Sequence, residues 1–150
     1  MTRGWKVAAG AAALAGLLAA SSAWAQADGA KAECPATAQE LSMKSLYGRW
    51  DATIDGQPGI ATVELGKHPE YDGVRGTIQR AGQPPALLAG DIDPDGLLAL
   101  DESQDGRSIS ASWSGEMQAG SCGKEFKGTW RKASDESTHA FVLHKAGSWK

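Results

Sequence analysis

Between Arg107 and Arg131 the chain reads RSISASWSGEMQAGSCGKEFKGTWR, and the alternation in this stretch restricts the fold more than any other feature. Ile109, Ala111, Trp113, Gly115 and Met117 alternate with Ser108, Ser110, Ser112, Ser114, Glu116 and Gln118, which is the period of a strand buried on one face. Phe126, Gly128 and Trp130 then alternate with Lys127, Thr129 and Arg131. The Ala119-Gly-Ser-Cys-Gly123 segment between the two runs suits the loop of an antiparallel hairpin. Each strand of that hairpin carries one tryptophan toward a common interior.

The same signature recurs along the chain. Leu46 to Ile54, Ile60 to Leu65, Val74 to Ile78 and on to Gln79, Ala86 to Ile92, and Leu97 to Leu100 read as five earlier strands, and Thr138 to Lys145 as a last one. Asp55-Gly56, Asp72-Gly73, Asp95-Gly96 and Asp105-Gly106 fall at the breaks, where a positive φ is wanted. From Ala36 to Leu46 the spacing of Leu41, Ser45, Met43 and Leu46 predicts a short helix. Eight short strands with short connections form an up-and-down meander, and closing the eighth onto the first removes both exposed edges. The fold class expected is therefore all-β: an eight-stranded antiparallel barrel with a short N-terminal helix, whose interior is either filled or holds one small ligand.

Arg3 and Lys6 precede an apolar run from Val7 to Ala20, and Ala23-Trp24-Ala25 has the small residues a signal peptidase needs. We read residues 1–25 as a signal peptide, 26–35 as a flexible leader and 36–150 as a single β-barrel domain. The run is shorter and richer in alanine and glycine than the roughly 20 apolar residues of a membrane span, so no span is expected after signal removal. No lipobox precedes Cys34. Loss of Arg3 and Lys6 changes the formal charge from −3 to −5, and without a basic stripe nucleic-acid binding is disfavoured. Cys34 and Cys122 are the two cysteines; in an exported protein they pair by default, tying the N-terminal segment to the hairpin loop. Localisation is expected to be periplasmic or secreted.

Two sets of residues carry a family resemblance. Gly48-Arg49-Trp50, after a short helical turn, resembles the G-x-W signature with which lipocalins begin their barrel. Trp113-Ser114-Gly115-Glu116 with Gly128-Thr129-Trp130 is similar to the sixth and seventh strands of avidin and streptavidin, where the corresponding tryptophans wall a biotin pocket. The resemblance implies a calycin-like barrel. Avidins place an asparagine two residues after the first tryptophan and a hydroxyl-bearing residue a few further on, whereas this chain has Ala52 and Gly56; Gly76-Thr77-Ile78-Gln79-Arg80 also lacks the family's aromatic and serine pair. The biotin-binding residues are not matched.

Asp91-Ile-Asp93-Pro-Asp95-Gly96 through Glu102 spells a twelve-residue calcium loop, with Asp91, Asp93, Asp95 and Glu102 as candidate ligands. Its surroundings do not: Pro84, Pro85 and Gly90 oppose an entering helix, and Asp93-Pro94-Asp95-Gly96 also fits a β-turn. A metal is not favoured and no cofactor is implied. His139 and His144 fall on opposite faces of one strand, His68 falls in a loop, and no catalytic constellation stands out. The function expected is therefore non-enzymatic binding of a small, partly apolar ligand, with Trp50, Trp113, Phe126 and Trp130 as the cavity wall and the indole N–H groups of the three tryptophans as donors to the ligand. The alternatives are an exported module with a solid core that binds a protein, such as a protease or lysozyme inhibitor, and a calcium-binding protein.

Overall fold

In the computed structural model, which describes Gly4, Gly10 and residues 33–147, the alternating runs become eight strands: β1 (Gly48–Ile54), β2 (Ala61–Lys67), β3 (Val74–Gln79), β4 (Ala86–Ile92), β5 (Leu97–Ser103), β6 (Ile109–Met117), β7 (Glu125–Lys132) and β8 (Thr138–Lys145). The signal segment and residues 26–32 of the leader lie outside the described residues, apart from Gly4 and Gly10. Each strand pairs antiparallel with its sequence neighbours, and β8 pairs with β1, so the barrel is closed. The β1–β8 ladder runs from Trp50↔Lys145 to Ile54↔Phe141. Among the described residues no helix is long and apolar enough to cross a membrane.

Because side chains alternate across a strand, one register faces inward throughout. Trp50, Ala52 and Ile54 of β1, Val63 and Leu65 of β2, Leu98 and Leu100 of β5, Phe126 and Trp130 of β7, and Phe141 and Leu143 of β8 are all buried in one cluster. Burial of each large side chain contributes roughly 1.5–3 kcal/mol. Gly96 illustrates the turn chemistry: its φ is 82°, its N–H donates to the Asp93 carbonyl at 2.9 Å, and the Asp93 carboxylate accepts from the N–H groups of Asp95 and Leu97. Residues 93–96 are thus the hairpin turn between β4 and β5.

The helix expected from Ala36 is instead two 3₁₀ turns, Ala38–Glu40 and Met43–Leu46. Leu41 is extended between them, with φ −69° and ψ 133°, and the Ser42 side chain accepts from the Lys44 N–H. Cap chemistry at Ser42 therefore splits the helical signal, and Leu46 ends the second turn rather than starting β1.

These turns pack at the barrel end that holds the β2–β3, β4–β5 and β6–β7 connections. Leu41 lies against Gly123 and Gln39 against Gly96, and the Cys34–Cys122 disulfide links this plug to the β6–β7 loop with a Cα–Cα distance of 4.7 Å. Trp50 Nε1 donates to the Leu46 carbonyl at 2.8 Å, and Lys145 Nζ lies 5.3 Å from the Trp50 ring centroid while donating to the Ser45 carbonyl. Burial, with the neighbouring Lys124 adding to it, pushes the Lys145 ammonium below the ordinary lysine range. The plug leaves the opposite end open.

Candidate functional site

The open end is ringed by the β1–β2, β3–β4, β5–β6 and β7–β8 connections, and a cleft of about 980 Å³ occupies it. Its floor is a buried polar cluster built on Glu102. This glutamate continues the inward register of Leu98 and Leu100 on β5, and its side chain is 2% exposed. Arg80, one residue past β3, grips it bidentately, with Nη1–Oε1 at 2.6 Å and Nη2–Oε2 at 3.0 Å. The indole N–H groups of Trp113 and Trp130 both donate to Oε2, at 3.2 and 3.1 Å. Arg80 Nε donates to Gln57 Oε1 at 2.8 Å, and its guanidinium lies 5.8 Å from the Trp130 ring centroid. A bulge helps to aim the carboxylate: the β5–β6 ladder shifts register between Glu102 and Ser103, and Ser110 Oγ donates to the Glu102 carbonyl.

Ionised groups so buried are tolerated only when their bonding capacity is met. Here the carboxylate accepts four hydrogen bonds, and among the described residues no buried side-chain N or O lacks a partner. The cluster is a hydrogen-bonded ion pair that forms the floor of the cleft. His139, inward on β8 and opposite Trp130 in the β7–β8 ladder, reaches the same cleft, where its Nε2 is 3.2 Å from Ser137 Oγ. His144 faces outward beside Glu125, so the two histidines do lie on opposite faces. His68, in the β2–β3 loop, stacks on Tyr71 at 3.7 Å.

The four aromatic residues expected to wall a cavity separate into different roles. Trp50 and Phe126 pack together near the plugged end, 5.9 Å between ring centroids, and neither is exposed. Trp113 meets Phe141 edge-on at 4.8 Å. Trp130 alone of the four lines the open cleft. The indole N–H groups of Trp50, Trp113 and Trp130, expected to serve a ligand, are each committed to a protein oxygen. Two of the glycines beside the tryptophans are filled against as well: a Cβ on Gly115 would lie 2.7 Å from Phe141 Cζ and one on Gly128 would collide with the Ser114 carbonyl oxygen, whereas one on Gly48 would meet only Lys145 Cε, at 3.8 Å.

The calcium-loop carboxylates do not converge. Asp91 is on the outward register of β4, opposite Ala99, whereas Glu102 points inward opposite Leu88, and Asp93 and Asp95 belong to the turn at the plugged end. Among the described residues no cluster of three or more His, Cys, Asp or Glu side chains is arranged to hold a metal. The Arg80–Glu102 pair itself was legible only in part. A glutamate on the register of Leu98 and Leu100 demands a buried cation, but nothing along the chain says that Arg80 supplies it across β4. A second hollow, of about 580 Å³, lies beside the plug between Leu41, Met43, Tyr47, Lys67 and Ile92.

No protein-family model matches the chain, and no curated protein matches it either. Fold and site together define it as a closed eight-stranded antiparallel barrel, disulfide-plugged at one end and floored at the other by a buried arginine–glutamate pair.

Proposed function

We propose that this chain is an exported, non-enzymatic β-barrel that takes a small, partly apolar molecule, and that the molecule seats in the open mouth rather than among Trp50 and Phe126. One observation carries the reading: the mouth is a cleft of about 980 Å³ floored by Trp130, Arg80 and Glu102, within the size range of ligand sites, and its wall is mixed, with Pro58 and Ile109 beside Gln57, Gln83 and Gln104. Export is supported by the charged, apolar and small-residue order of residues 1–25 and by the disulfide. The resemblance to lipocalins and avidins agrees with a closed barrel binding at one end. The packed interior, with Trp113 against Phe141, moves the site outward from where those families' resemblance puts it.

Ile60 and Ile109, 65% and 54% exposed, stand on the rim of the same mouth and favour a second reading, a protein-binding module such as a protease or lysozyme inhibitor. Nuclear magnetic resonance of the indole N–H groups separates the two. Titration with the dialysable fraction of cell extract is expected to shift the Trp130 signal and leave Trp50 unmoved. A response confined to the protein fraction overturns the small-molecule reading in favour of the inhibitor.

A further inference from the structure

We infer that the molecule taken by the mouth is a neutral saccharide; this rests on the small-molecule reading above and names its ligand class. The charges in the cleft compensate one another. Arg80 is paired with Glu102, Lys132 stands 3.9 Å from Asp135, and His139, the remaining titratable group of the lining, is engaged with Ser137. No lone cation selects an acidic ligand and no lone carboxylate a basic one. What the walls still offer is neutral hydrogen bonding. The side-chain amides of Gln83 and Gln104 line the cleft and make no hydrogen bond to another described residue, unlike Gln57, which holds Arg80. Of the five N–H donors of an arginine, Arg80 uses three on Gln57 and Glu102, so two remain. Ile109 and Pro58 add a limited apolar surface.

Other ligand classes fit less well. A fully apolar molecule would strip water from these amides and from Arg80 without replacing the lost hydrogen bonds. An extended peptide is held by pairing with a free strand edge, and the closed barrel has none. A saccharide has hydroxyl or acetamido groups around its rim and C–H bonds on its ring faces, which matches Arg80 and Gln83 from the β3–β4 connection with Gln104 and Ile109 from the β5–β6 side.

The test uses the oxidised protein and four probes: the trimer of N-acetylglucosamine, maltotriose, N-phenyl-1-naphthylamine and glucose 6-phosphate. At least one neutral trimer is expected to shift the Trp130 indole signal, and Gln83→Ala and Gln104→Ala are each expected to weaken its binding about fivefold, the effect of one hydrogen bond, at unchanged thermal midpoint. Both glutamines are exposed, so neither substitution threatens the fold. If N-phenyl-1-naphthylamine or glucose 6-phosphate shifts Trp130 and neither trimer does, the saccharide class is wrong while a small-molecule site stands. A trimer that binds equally well to both variants also overturns the assignment. If none of the four moves Trp130, the saccharide inference falls, and extract titration then decides the broader reading separately.

Discussion

Arg80 and Glu102 meet in a bidentate ion pair, 2.6 and 3.0 Å, although one follows β3 and the other stands on β5. The pair bridges over β4 and, through Trp113 and Trp130, joins β5 to β6 and β7. One carboxylate thus ties together four of the structures that form the mouth.

That arrangement predicts a large asymmetry between single and double substitution. Glu102→Gln or Arg80→Met alone leaves a buried charge without its partner and is expected to cost about 3–5 kcal/mol. Arg80→Met with Glu102→Gln, which removes both charges, keeps volume and leaves an amide oxygen for the two indole N–H groups, is expected to recover most of that loss. Urea denaturation of the three variants measures it, and single costs that simply add in the double variant would show the two residues to be uncoupled.

Cys34 and Cys122 close a loop across 88 residues. Cys122→Ser is expected to destabilise the protein by about 2–5 kcal/mol and to raise hydrogen exchange first in the 3₁₀ turns of the plug. The mass of protein alkylated without reductant checks the bond directly: uptake of two alkyl groups by the unreduced protein sinks it.

Gly115→Ala and Gly128→Ala are expected to differ in how they can be rescued. The new methyl at residue 115 meets the tip of the Phe141 ring, at 2.7 Å, whereas at residue 128 it meets backbone, the Ser114 carbonyl oxygen. Overpacking of the first kind costs about 1–3 kcal/mol, and Phe141→Leu in the same chain should restore part of it. Gly128→Ala is expected to gain nothing from Phe141→Leu. Thermal midpoints of the two double variants decide the matter.

Asp105 is held below the ordinary carboxylate range by hydrogen bonds from the Ser108 and Arg107 N–H groups, and Asp135 by bonds from the Ser137 hydroxyl and N–H. A carboxyl whose folded value is depressed adds stability that is complete above its unfolded value, near pH 4, and is lost as pH falls through the folded value. Stability is therefore expected to decline below about pH 4, and Asp105→Asn with Asp135→Asn to decline less steeply. Denaturation midpoints between about pH 2 and 6 test this, and identical slopes for the two proteins would refute it.

For calcium, isothermal titration is expected to give no stoichiometric site of micromolar affinity. Asp91 and Glu102 project from opposite faces of the sheet, and Asp93 is occupied with the Asp95 and Leu97 N–H groups. A tight site abolished by Asp91→Ala would mean that this end of the barrel rearranges around the ion.

Periodicity alone determined the eight strands, because the half-buried face of a sheet enforces a two-residue repeat that is written locally. Ile109 to Met117 and Thr138 to Lys145 coincide with β6 and β8, β1 begins at Gly48 because Leu46 and Tyr47 close the 3₁₀ turn, and β5 runs past Leu100 to Ser103. The pairing of Cys34 with Cys122 followed from there being two cysteines. Which inward residues would touch was not written there. A register places Trp50, Trp113 and Trp130 on one face, but barrel closure decides that Trp50 is sealed by Leu46 and Lys145 while Trp130 reaches the mouth. Glu102 likewise reads as the last letter of a metal loop until curvature carries Arg80 across β4 to meet it. Alternation is a property of each strand by itself; contact between strands that are not adjacent in the sheet depends on the curvature and stagger of the closed barrel, and only the tertiary structure sets those.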